Sequence, residues 1–166
     1  MNTKLKPWPI SFLGILIVAA GLSYRFAWPA WIAHTVVVSS LPSRPDLTPW
    51  SPILSARINQ NETLARSFLH PARALAELAQ LYHANAFYPQ ADQCYQGLLR
   101  LAPSEARWPY LEANILAGFG RLAEALPLLQ RTIELAPDYI PARLRTADAL
   151  RKPTSEPPQF RATMKF

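Results

Sequence analysis

Apolar positions divide the chain into a solid block, an irregular stretch and a periodic region. The block comes first. Pro7 to Tyr24 is 18 residues without a charge, and its centre, Ile10 to Ala20, is strongly apolar. From Trp28 to Trp50 the pattern is broken by Pro29, Pro42, Pro45 and Pro49, which punctuate any helix. Within that stretch Trp31 to Val38 reads as a short extended piece of a stiff, partly ordered spacer. From Trp50 onward apolar residues recur at helical spacing. Ile53, Leu54, Ile58, Leu64, Ala65 and Phe68 predict a helix over 50–68, with Ser51-Pro52 as cap and first-turn proline and His70-Pro71 closing it.

Two further helical patterns follow, and then both recur. Leu75, Leu78, Ala79 and Tyr82 mark one helix; Ala91, Tyr95, Leu98 and Leu99 mark the next. Ala79, Ala113 and Ala147 fall 34 residues apart, as do Ala91 and Ala125, and Pro103 and Pro137. The prolines share a tripeptide, Leu101-Ala102-Pro103 and Leu135-Ala136-Pro137. A fixed period of this length is the mark of a helical repeat array.

On these residues the region resembles the tetratricopeptide repeat (TPR) family. One unit runs from Ala72 to Glu105, a second from Ala106 to Tyr139, and a half-unit from Ile140 carries Leu144, Ala147 and Leu150 before Pro153 stops the pattern. Ala79 and Ala91 are small where paired helices cross, Tyr82 and Tyr95 fill the wider gaps, and Pro103 restarts the chain. Gly120 turns the second unit where the first has Ala86. Three departures stand out. Trp108-Pro109 opens a helix, Pro127 lies inside one, and Glu112 occupies a position where the family has Leu. Leu111 is expected to take over that packing, leaving Glu112 partly solvated. The resemblance implies an all-α fold, an antiparallel helix-hairpin solenoid, and the apolar block ahead of it reads as a single transmembrane or signal-anchor helix. The divisions are a basic flank (1–6), the anchor helix (7–27), a Pro-rich connector (28–49), an amino-terminal capping helix (50–70), the array (71–152) and a disordered, Pro-rich tail (153–166). The capping helix is expected to pack on the first unit, because an array must cover its end faces. Ala142, Leu144, Ala147 and Leu150 keep an apolar face on the half-unit, which a homo-oligomer, among other arrangements, would cover.

Charge and composition narrow the function. The formal charge is +6, but residues 44–152 hold 12 basic and 10 acidic side chains, so the excess sits at the two ends. A nucleic-acid footprint needs a clustered basic face, and none is present. The apolar block would span about 27 Å as a helix, close to a bilayer core. Trp8 precedes it and Tyr24, Phe26, Trp28 and Trp31 follow, like interfacial belts, while Lys4 and Lys6 place the amino terminus in the cytoplasm. The reading is a single-pass membrane protein with the array on the exported side; secretion after signal cleavage near Ala19-Ala20-Gly21 is the alternative. Cys94 is the single cysteine, so no intrachain disulfide forms, and His34, His70 and His83 lie apart without metal-ligand spacing. With no nucleophile elbow and no phosphate loop, neither catalysis, cofactor nor metal is expected.

In the TPR family, partners lie in a concave groove lined by the first helices. Carried onto this chain, that implies a peptide groove of Arg73, Gln80, His83, Arg107, Tyr110, Asn114, Asp148 and Arg151, beside Ala76, Ala117 and Leu144. Gln80 and Asn114 suit an extended peptide backbone, Arg73 and Arg107 suit carboxylates, and Tyr110 suits an aromatic anchor. The expected function is a membrane-anchored scaffold that binds a partner protein or peptide. Alternatives are a structural accessory subunit of a membrane enzyme or secretion assembly, or part of a longer TPR-containing chain.

Overall fold

A computed structural model describes residues 29–151 of the chain. The expected basic flank and anchor helix, and the expected disordered tail, lie outside the described residues. Within them the fold is all-α, and no helix is long and apolar enough to cross a membrane. The elements are α1 (29–39), α2 (Pro52–Ala65), α3 (Pro71–Ala84), α4 (Tyr88–Leu101), α5 (Arg107–Gly118), α6 (Leu122–Leu135) and α7 (Ile140–Arg151). From α2 to α7, each helix packs on its neighbours in sequence.

The links repeat as faithfully as the apolar positions do. After α3, the Phe87 N–H donates to the Tyr82 carbonyl at 2.9 Å and the Ala86 N–H to that of His83 at 3.2 Å. After α5, the Arg121 N–H donates to Leu116 at 2.9 Å and the Gly120 N–H to Ala117 at 3.1 Å. Both are left-handed helix stops that satisfy otherwise orphaned carbonyls. Ala86 and Gly120 sit at φ 63° and 76°, so the alanine bears a steric cost that the glycine avoids. The later links also match: the Ala102 N–H donates to Leu98 at 2.8 Å and the Ala136 N–H to Thr132 at 2.9 Å. Each link between α3 and α4, and between α5 and α6, is three residues long, enough to double the chain back on itself.

The core is uneven. Leu75, Leu78, Ala79 and Tyr82 of α3 and Ala91, Cys94, Tyr95 and Leu98 of α4 are buried together, joined by Ile58 and Ala65 of α2 and by Val37. Beyond them, Ala113, Leu116, Ala125 and Leu129 form a smaller cluster between α5 and α6. The small residues lie in the buried seams and the two tyrosines are fully buried, as the spacing predicts. Pro127 is accommodated on the exposed side of α6.

Three expectations are corrected. Residues 31–38 are helical, not extended, and the connector is no spacer: Val37 and Ser40 are fully buried. Ser40 seats against Gly97 of α4 so closely that a Cβ on Gly97 would overlap it, and Arg100 donates to the Ser40 hydroxyl at 2.9 Å. Second, α2 spans 52–65 rather than 50–68, and it turns Ile58, Asn61, Glu62 and Ala65 inward while Ile53, Leu64 and Phe68 stay exposed. The inward carboxylate is tolerable because Glu62 receives Arg44 Nε at 3.2 Å and the Tyr82 hydroxyl at 3.0 Å. Third, Glu112 is buried, at 7% exposure, rather than partly solvated. Leu111, given that packing role, is only half-buried. On α7, Ala142 and Ala149 are buried, while Leu144, Ala147 and Leu150 of the expected apolar face are exposed.

Candidate functional site

The first turn of α5 begins immediately after the Pro103 link, so Arg107, Tyr110 and Leu111 emerge beside α3 on one side and the α6–α7 link on the other. Between them lies a cleft of about 510 Å³ lined by Gln80, Ala106, Arg107, Tyr110, Leu111, Ala136 and Tyr139. Its walls are mainly apolar, with an amide, a guanidinium and two phenols at chosen points, the usual make-up of a binding cleft. Tyr110 and Tyr139 meet edge to face, centroids 5.0 Å apart and planes at 88°. This contact fixes both rings at low entropic cost. Arg107 lies over the buried Trp108 ring, its guanidinium carbon 4.3 Å from the centroid. The indole face holds the cation in place without a counter-carboxylate. Among the described residues Arg107 makes no ion pair.

Of the eight groove residues expected from sequence, the structure brings Gln80, Arg107 and Tyr110 together in the cleft. Asn114, one turn beyond Tyr110 on α5, is half-buried, and its Oδ1 is buried with no hydrogen-bond donor. Arg73 is exposed on α3 and pairs with Glu77 at 3.0 Å. His83 is half-buried between α3 and α4, edge-on to Tyr88 and Tyr95, with Nδ1 3.2 Å from the Tyr95 hydroxyl. Burial pushes its pKa down, which favours the neutral ring there. Asp148 and Arg151 pair with each other at 3.6 Å on α7, away from the cleft lining. The sequence reading missed four lining residues: Leu111 on α5, which it had assigned to packing, and Ala106, Ala136 and Tyr139. The last three fall in links, where helical spacing carries no signal.

A second polar group sits between α4, α5 and the start of α6. Glu112 Oε2 and Asp92 Oδ1 are buried without donors. Burial, then the negative charge of Asp92, pushes the Glu112 carboxyl up to about 7 against the pull of Arg121. Burial raises Asp92 as well, though Gln96 donates to its other oxygen at 3.1 Å. The pair can therefore hold a proton near neutrality. Cys94 is buried and its thiol is pushed up to about 12, first by burial and then by the Glu62 charge, so thiolate chemistry is suppressed. Among the described residues no cluster of three His, Cys, Asp or Glu side chains could hold a metal ion. No family model matches the chain, and no curated protein matches it.

Proposed function

We propose that this chain is a membrane-tethered, TPR-like adaptor that captures a partner through an extended peptide segment laid along the cleft. The apolar block of residues 7–27 supplies the tether, with the amino terminus cytoplasmic and the helical array on the exported side. The helical hairpins are read as tetratricopeptide units because the period of 34 returns in the apolar positions and in the hydrogen bonds of both kinds of link. The observation that carries the binding reading is the cleft itself: an apolar-walled groove with Gln80 in its lining, Tyr110 fixed by Tyr139 and Arg107 held on Trp108. A peptide N–H would donate to the Gln80 amide oxygen, an apolar side chain would fill the space against the tyrosines, and an acidic group would meet Arg107.

Crosslinking followed by capture from solubilised membranes tests this. Tyr110→Ala with Gln80→Ala should reduce partner recovery at least tenfold, the size expected when an aromatic anchor and a hydrogen bond to the peptide are both lost. The helical circular-dichroism signal should be unchanged. Undiminished capture by the double variant would move the contact elsewhere. In the same preparations the protein should stay in the pellet through a carbonate wash; release with an intact amino terminus would remove the tether.

A further inference from the structure

The repeat shows which surface of α7 is bare. On α3, Leu75, Leu78, Ala79 and Tyr82 are all buried in the packing of α3 on α4. The positions 34 later on α5 are Pro109, Glu112, Ala113 and Leu116, again all buried, in the hairpin with α6. The same positions on α7 are Arg143, Thr146, Ala147 and Leu150. Here Arg143 and Ala147 are exposed, Thr146 is half-buried, and Leu150 is 70% exposed, against 0% for Tyr82 and 5% for Leu116. The opposite face of α7 is already used. Its buried Ala142 and Ala149 correspond to Trp108 and Ile115, and the helix it packs on is α6. Among the described residues, then, α7 is a first helix without its second.

We propose that this face is a docking site for one acidic amphipathic helix donated by a partner protein, seated on α7 as α6 is seated on α5. The surface is separate from the cleft and does not depend on the reading of the cleft. The shape requirement comes from the chain itself. Buried Ala91 faces the α3 pattern and buried Ala125 the α5 pattern, so the donated helix carries a small residue where it crosses Ala147. The charge requirement comes from Arg143 and Arg151, one helical turn either side of Ala147. Asp148, which pairs with Arg151 at 3.6 Å, is the single carboxylate on the helix. A second copy is the poorer occupant: α7 crossing its twin antiparallel at Ala147 would set Arg143 of one copy against Arg151 of the other. In sequence, the residues after α7 do not continue the second-helix pattern. Pro153, Pro157 and Pro158 interrupt them, and Gln159 stands 34 positions after Ala125.

The test uses the full chain in detergent and a fluorescein-labelled 14-residue peptide with the α6 sequence, carrying Pro127→Ala to favour helix and Arg131→Glu to raise its acidity. A twin peptide has every carboxylate replaced by lysine. The acidic peptide should bind saturably by fluorescence anisotropy, and the lysine twin at least tenfold more weakly. Ala147→Arg, and separately Leu150→Asp, should each weaken the acidic peptide at least tenfold; both positions are exposed, so the fold is retained. The Gln80→Ala, Tyr110→Ala variant should bind it unchanged. Absence of saturable binding, equal binding of the twins, or binding indifferent to both α7 substitutions would overturn the proposal. So would loss of binding in the cleft variant, which would place the peptide in the cleft. A dimer in sedimentation velocity that Leu150→Asp splits would assign the face to a second copy and overturn it too.

Discussion

Glu112 shows how one residue departs from a repeat and leaves a measurable trace. Its counterpart 34 residues earlier is Leu78, a buried aliphatic side chain, and the backbone at Glu112 follows the same path. The carboxyl is carried inward with the helix and its Oε2 finds no donor. A carboxyl held at about 7 when folded, against an ordinary value near 4.5, binds its proton more tightly in the native state. Its favourable contribution is complete below pH 4.5 and is lost as pH rises through about 7. The full loss is about 3 kcal/mol by the free energy of each pKa interval. Urea unfolding should therefore give a higher midpoint at pH 4.5 than at pH 8, and Glu112→Leu should remove most of that difference while raising stability at pH 8. An equal pH dependence in the variant would clear Glu112 and leave Asp92 as the source. At this scale the sequence was readable where the repeat holds. Ala79, Ala91, Tyr82 and Tyr95 are all fully buried because each spacing is fixed by a helix crossing. It misled at Glu112, where side-chain polarity suggested solvent but the position in the hairpin decided burial.

Among the elements, α1 is the one that spacing alone could not find. Pro29 and the run Val36-Val37-Val38 argue for extended backbone, since β-branched side chains disfavour helix. The helix is held instead from outside, by Val37 in the core and by Ser40 in the gap that Gly97 leaves on α4. That kind of tertiary override leaves no mark on local periodicity. It makes a sharp expectation for Gly97→Ala. The new methyl collides with Ser40, so α1 and the Arg100–Ser40 hydrogen bond should be displaced, at a cost of about 1–3 kcal/mol by the usual penalty for overpacking. A thermal melt should show the loss, and Ser40→Gly in the same chain should restore most of it. No recovery in the double variant would mean that the contact is incidental. The candidate cleft divides along similar lines. Gln80, Arg107 and Tyr110 come from helices and follow from helical spacing, whereas Tyr139 and Ala136 come from a link, and Tyr139 enters through a ring contact with Tyr110.

Over the whole molecule, burial is concentrated toward α3 and α4, which are flanked by α2 on one side and α5 on the other and share the larger cluster with Val37. The smaller cluster of α5 and α6 ends in α7, whose outer face is uncovered. Nearest-neighbour stacking makes stability a sum of local terms, so opening should begin at the thin end. Native-state hydrogen exchange should find the amides of α7 opening first, then those of α6, with α3 and α4 protected at least tenfold more than α7. Uniform protection from α2 to α7 would show instead that the chain opens as one cooperative unit. Addition of a helix that binds α7 should slow exchange there before anywhere else.

The same imbalance bears on how the polypeptide is made. Because α2 to α4 and the segment carrying Val37 and Ser40 complete their mutual contacts by Leu101, a nascent chain can close its best-packed portion while the rest is still being translated. The later helices then settle one by one onto a surface already formed, and α7, with its exposed strip, is the last of the described helices to emerge.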